Sequence, residues 1–163
     1  MTDPKYCIDC GSLLTTKLFD DIERLTCEQG DCGFISWENP IPVVAGLVDF
    51  NGKIILVQNV GWPKEWYGLV TGFLEKEEDP QQGIVREIKE ELNLDSQVQG
   101  LIGNYIFKEK NQIILAYHLT ATGNIQINDE LQDYKLVDKN KLQPWPFATG
   151  LAVKDWLTSQ KHA

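Results

Sequence analysis

GFLEKEEDPQQGIVREIKEELNL, residues 72 to 94, decides how the rest of this chain is read. Within it Ile84, Ile88 and Leu92 recur every four residues, the spacing of one apolar stripe on an α-helix. Asp79 is a good N-cap, Pro80 suits the first helical position, and Asn93 tolerates the left-handed conformation that ends a helix. The stripe is expected to face the core, with Glu87, Glu90 and Glu91 on the other side. Glu87 lies three residues from Glu90 and four from Glu91, so like charges share one face, at a cost of about 0.2–0.5 kcal/mol per pair. Residues 75 to 95 hold eight acidic and three basic side chains, more than half of the chain's net charge of −9. A solvated surface helix would place opposite charges at these spacings, as Arg86 and Glu90 do. Clustered carboxylates instead suit a hard divalent cation such as Mg²⁺ or Mn²⁺.

Outward from the helix, short apolar runs alternate with turn signals. VVAGLVDF and KIILVQNV flank Asn51-Gly52, the strongest short hairpin signal. LVTGF, QVQGLIGNYIF, QIILAYHLTAT, NIQI and DYKLV read as further strands, and GLAVKDWLTSQ as a C-terminal helix. One helix among many strands and another at the end predict an α/β (α+β) fold, a mixed sheet covered by helices. At 163 residues there is room for one full core and a small appendage. No apolar run approaches the length of a membrane span, and MTDPKYCIDC lacks the basic and apolar regions of a signal peptide. The expected location is therefore cytoplasmic, with no membrane partner.

The appendage is the N-terminal segment, residues 1 to 38, which holds all four cysteines as Cys7-x2-Cys10 and Cys27-x4-Cys32. Two disulfides or four unrelated thiols are the alternatives. Disulfides fit poorly with a chain lacking an export signal. Paired cysteines in a short polar segment suit a closed four-thiolate zinc site, and so small a segment needs a metal to fold. With LLTTKLFDDIERLT as two strands around Asp20-Asp21, a zinc ribbon is expected, followed by a second domain over residues 39 to 163. Residues 1 to 38 carry three basic and eight acidic side chains, and such a surface does not favour nucleic acid.

Gly72, five residues, Glu78, seven residues, then Arg86-Glu87-Ile88-Lys89-Glu90-Glu91-Leu92-Asn93-Leu94 resembles the Nudix box G-x5-E-x7-R-E-U-x-E-E-x-G-U, where U is aliphatic. All six fixed positions before the final glycine match, a coincidence on the order of one in ten million per starting point at average composition. Asn93 replaces that glycine. The resemblance implies an α/β/α sandwich and hydrolysis of a nucleoside diphosphate linked to another group. It further implies that Glu87, Glu90, Glu91 and a backbone carbonyl near Gly72 bind Mg²⁺ or Mn²⁺, while Arg86 and Glu78 hold the cluster in place. A downstream loop glutamate often joins such sites, and Glu130 stands in a similar context.

The ribbon-then-Nudix order is similar to that of NADH and FAD pyrophosphatases. Gln143-Pro144-Trp145-Pro146-Phe147 resembles part of the NADH pyrophosphatase signature, but lies further from the box. Trp62, Trp66 and Tyr67 precede the box where a base could stack, and Trp145 joins them as a candidate substrate-binding residue. His118, inside a predicted strand, is expected to be a satisfied structural histidine. The expected partner is a small-molecule nucleotide diphosphate such as NADH, FAD or ADP-ribose; no nucleic acid is expected, and a homodimer is admissible. The alternatives are a nucleotide-sensing regulator on the same scaffold, or a zinc-ribbon module binding protein with the second domain as accessory. An intact glutamate set favours the enzyme.

Overall fold

Alternate residues of β3 (Ile41–Phe50) point to two faces: Val44 and Val48 enter one core cluster, while on the other face Val43 and Ala45 enter a second and Leu47 a third. A strand buried on both faces reads as a nearly unbroken apolar run, which is what VVAGLV is. The structure, a computed structural model, describes residues 4–161. It divides into two compact units, Met1–Asn39 and Pro40–Ala163.

The first unit is built on the antiparallel hairpin of β1 (Leu14–Phe19) and β2 (Ile22–Cys27), paired from Leu14–Cys27 to Phe19–Ile22. Asp20 and Asp21 both take positive φ, 49° and 61°, as a two-residue hairpin link demands.

The second unit holds a six-stranded mixed sheet. Its remaining strands are β4 (Lys53–Asn59), β5 (Val70–Phe73), β6 (Asp95–Phe107), β7 (Gln112–Thr122) and β8 (Leu131–Asp138). The order is β6-β7-β3-β4-β8, with β5 pairing β3 alongside. β3 and β7 run parallel, and every other pairing is antiparallel. Asn51 and Gly52 link β3 to β4 with φ of 51° and 81°.

Helix α1 (Pro80–Leu92) begins where Asp79 accepts hydrogen bonds from the backbone N–H groups of Gln81 and Gln82, and ends at Asn93 with φ 57°. Ile84, Ile88 and Leu92 are fully buried against Val44, Val48 and Leu119. Helix α2 (Thr149–Ser159) covers the other face of the sheet with Ala152, Val153 and Trp156. The layers are helix, sheet, helix. Among the described residues no helix is long and apolar enough to cross a membrane.

Three expectations need correction. Residues 124–127 (NIQI) form no strand: Gln126 N–H bonds the carbonyl of Leu92, and Asn128 N–H bonds that of Glu91. The segment satisfies carbonyls left free at the end of α1, and so spends its backbone on a helix terminus instead of a sheet edge. Glu91 does not lie opposite the apolar stripe; it is 2% exposed. Seven residues nearly complete two helical turns, so Glu91 projects almost where Ile84 does. His118 is not satisfied: its ring meets Trp156 at 5.4 Å between centroids, and its Nε2 is buried without a hydrogen-bond partner.

Candidate active site

Arg86 organises the glutamates. Its Nε and Nη2 donate to the two oxygens of Glu78 at 2.7 and 3.0 Å. Nη1 donates to Glu87 at 2.8 Å and Glu90 at 3.0 Å, and Nη2 also reaches the Phe73 carbonyl at 3.1 Å. A guanidinium has five N–H donors, and all five are used. The paired bonds to Glu78 hold that carboxyl down at about 2, assisted by the backbone N–H of Glu75. They also raise the Arg86 guanidinium further above its already high value.

Glu87 lies against the backbone of β5. A Cβ placed on Gly72 would stand 1.9 Å from Glu87 Cδ, so only glycine admits this approach. Burial raises the Glu87 carboxyl, a rise that Arg86 opposes and the charges of Glu90 and Glu130 reinforce. Glu91 is pushed up to about 8, first by burial and then by Glu87, Glu130 and Glu90. Its Oε2 is buried with no hydrogen-bond partner. Several carboxylates thus converge on one place, and one carries an orphaned buried oxygen. This donor set fits a hard divalent cation, which would satisfy that oxygen and offset the repulsion.

The loop that supplies Glu130 is tied to the same helix. Asn128 gives its N–H to Glu91 O at 3.1 Å and accepts the N–H of Glu130 on its side-chain oxygen at 3.0 Å. Glu130 O in turn accepts from Val60 N–H at 2.9 Å.

The four candidate substrate-binding aromatics, Trp62, Trp66, Tyr67 and Trp145, line one cavity of about 580 Å³. Phe107 and Phe147, their rings 6.4 Å apart and nearly parallel, line it too. Tyr67 is fixed from behind, donating to Asp133 at 2.6 Å with the Lys135 ammonium 3.6 Å from its ring centroid. Sequence reasoning missed Phe107, Thr71 and Lys110 on the cavity wall. Phe107 is the last residue of a strand, and nothing local marks it as facing residues forty positions away.

The cavity and the carboxylates meet at β5. Successive strand residues point to opposite faces, so Thr71 lines the cavity while Gly72 lies under Glu87.

In the first unit the Sγ atoms of Cys7, Cys10, Cys27 and Cys32 all lie within 4.8 Å of one another. The closest pairs, Cys10–Cys27 and Cys7–Cys32, are 3.4 and 3.7 Å apart, and all four thiols are free. A disulfide would require about 2.05 Å. Four thiolates about 2.3 Å from a tetrahedral zinc stand roughly 3.8 Å apart, so the cluster fits zinc.

Comparison with known proteins agrees with the geometry. The NUDIX domain family matches residues 40–154. An ADP-ribose pyrophosphatase of Methanocaldococcus jannaschii is 28% identical over 125 residues, 73% of this chain and 74% of that protein. An NAD-capped RNA hydrolase, NudC, of Pseudomonas aeruginosa is 24% identical over 151 residues, which cover 91% of this chain and 52% of that protein. The chain thus spans about half the length of its NudC relatives. A NUDIX hydrolase from Nitrosomonas europaea superposes with a TM-score of 0.81 at 21% identity, covering 98% of this chain and 94% of that one. The chain belongs to the NUDIX domain family, whose model matches residues 40–154, and its second unit is a Nudix hydrolase domain.

Proposed function

We propose that the substrate is a dinucleotide or nucleotide-sugar diphosphate, such as NADH, FAD or ADP-ribose. The observation that carries this reading is the junction at β5 between the carboxylate cluster and an aromatic cavity large enough for a ring. Stacking on aromatic side chains contributes about 1–3 kcal/mol per base. A nucleoside triphosphate, with one base, gains less from six aromatic walls than a dinucleotide with two.

Glu87, Glu90, Glu91 and the Gly72 carbonyl are the residues that would hold Mg²⁺ or Mn²⁺. Such an ion, when bound, neutralises diphosphate oxygens and lowers the pKa of water. The protein's own part is positional and protic. Arg86 keeps Glu87 and Glu90 oriented through its bonds to both, and Glu78 holds Arg86 from the other side. Glu130, on a loop hydrogen-bonded to the end of α1, would accept a proton from the attacking water. The walls of Trp62, Trp66, Tyr67 and Trp145 hold a ring of the substrate and exclude solvent beside the diphosphate. In the ribbon, Cys7, Cys10, Cys27 and Cys32 hold a structural Zn²⁺, an arrangement that needs reduced thiols and so a cytoplasmic setting.

The test is a hydrolysis screen of NADH, FAD, ADP-ribose, diadenosine polyphosphates and nucleoside triphosphates with Mg²⁺ and with Mn²⁺, products identified. Release of two mononucleotides, or of a mononucleotide and a sugar phosphate, supports the reading. Preference for a triphosphate with release of pyrophosphate refutes it.

A second substrate is favoured by the likeness to proteins named NAD-capped RNA hydrolases. An NAD cap presents the same dinucleotide diphosphate, so it bears on the expectation that nucleic acid is excluded. The acidic surface, with a net charge of −9, does not favour the RNA body. An NAD-capped oligonucleotide beside free NAD in the same assay decides whether the RNA contributes.

A further inference from the structure

Four polar side chains are buried among the described residues: Thr26, Gln58, Glu91 and Thr149. Gln58 is 3% exposed, near the end of β4, and shares a sheet face with Ile54 and Leu56, the face that α2 covers. It is two residues from the loop that carries Trp62 and Trp66. Its side-chain amide donates to the carbonyl of Pro63 at 2.9 Å and to that of Trp66 at 3.3 Å. Both amide hydrogens therefore go to one loop.

The ends of that loop are held by the Glu130 carbonyl, which accepts from Val60 N–H, and by Asp133, which accepts from the Tyr67 hydroxyl; between them there are few other ties. Between Val60 and Tyr67 the backbone forms turns only, closed by Trp62 N–H to Asn59 O at 3.1 Å and Trp66 N–H to Pro63 O at 2.9 Å. Trp62 and Trp66 are 38% and 57% exposed, so burial of their rings does not fix them. Trp62 rests edge-on against Gly68, where an added Cβ would be 3.3 Å away. Just after Gln58 the pairing of β4 with β8 slips by a bulge, and the chain leaves the sheet. Inside those ends, the two amide bonds tie the carbonyls of Pro63 and Trp66 directly to β4.

We infer that Gln58 is a positioning residue for substrate selection: it sets the aromatic wall of the cavity by holding the Pro63 and Trp66 carbonyls. The inference rests on the reading that this cavity takes a ring of the substrate. The carboxylate cluster lies on the opposite sheet face, so a fault at Gln58 reaches binding before it reaches chemistry. A leucine would break the tie but leave a gap. Methionine has nearly the length and volume of glutamine without donors, so Gln58→Met removes the bonds while keeping the packing.

The experiment compares Gln58→Met, the Trp62→Ala/Trp66→Ala pair and the triple variant, with the full chain and the best substrate found in the screen. Gln58→Met is expected to raise KM about tenfold while kcat changes less than about threefold, an effect of about 1.4 kcal/mol on kcat/KM. Merely lowering the folded fraction would reduce kcat at constant KM. In the background lacking both tryptophans, Gln58→Met is expected to add less than a twofold change, because residues acting through one element are not additive. Hydrogen exchange at the Trp62 and Trp66 amides is expected to quicken in Gln58→Met with no change in β3. If the tryptophan pair raises KM and Gln58→Met does not, or if the two effects multiply in the triple variant, the inference is overturned and the cavity reading stands. If removing both tryptophans leaves KM unchanged, the cavity reading fails, and the inference fails with it.

Discussion

Arg86 has no donor to spare: Glu78, Glu87, Glu90 and the Phe73 carbonyl take all five N–H groups. Lysine offers three donors from a point and cannot reproduce a flat fork. Arg86→Lys is expected to lower kcat by roughly tenfold to a hundredfold, since a small displacement of positioning groups has that effect. Steady-state kinetics at saturating substrate checks it. Glu91 permits a sharper test. Its folded carboxyl titrates at about 8, above an ordinary value of about 4.3. A raised pKa favours the neutral form, so this contribution to stability is complete below the ordinary value and disappears as pH climbs toward the folded one. Melting in chelator between about pH 5 and pH 8 should therefore show Tm falling, and Glu91→Gln should flatten that slope. Glu91→Gln should also lower kcat at least about a hundredfold, because it weakens a metal that stabilises transition-state charge. Parent-like activity would remove Glu91 from the site. The sequence showed which residues are acidic; how deeply one of them is buried was hidden, because a polar residue on an apolar stripe was read by its type and not by its angle.

At the level of elements, α1 was legible because each of its ends has a chemical marker, Asp79 and Pro80 at the start and Asn93 at the close. Residues 124–127 were misread for the opposite reason: NIQI has the alternation of a strand, and nothing local shows that its hydrogen-bond partners are the final carbonyls of a helix. The α1–β5 contact depends on Gly72. Gly72→Ala would drive a methyl group into Glu87, whose Cδ is 1.9 Å from the added carbon, while φ at this position needs no glycine. The expected result is a loss of kcat of about a hundredfold or more with a circular dichroism spectrum like the parent's, since the Glu87 carboxylate must turn away. Unchanged kcat would show that the contact has no part in catalysis.

For the whole molecule, the cavity was the least legible feature. Trp62 and Trp66, Phe107, and Trp145 with Phe147 come from three distant parts of the chain, and only sheet order brings them together. Their assembly predicts that a dinucleotide diphosphate surpasses every nucleoside triphosphate in kcat/KM by roughly one to two orders of magnitude, if stacking is expressed in the transition state. The ribbon makes a separate prediction. Purified protein should hold close to one zinc per chain, and Cys10→Ser should lose the metal together with the protection of residues 7–32. The second unit has its own core, so its melting should change little. Metal analysis with hydrogen exchange reads both.

The parallel pairing of β3 with β7 joins Ile41 to Gln112 and Phe50 to Ala121, across β4, β5, α1 and β6. Contacts so distant in sequence close late. On a ribosome, β3 emerges long before its central partner has been made, and VVAGLV waits with a bare edge that is apolar on both sides. Such an edge invites pairing with other chains. The glutamate-bearing helix lies inside the loop that this pairing closes, so a nascent chain halted after α1 already carries the whole Nudix box while its sheet still lacks the strand that seals it.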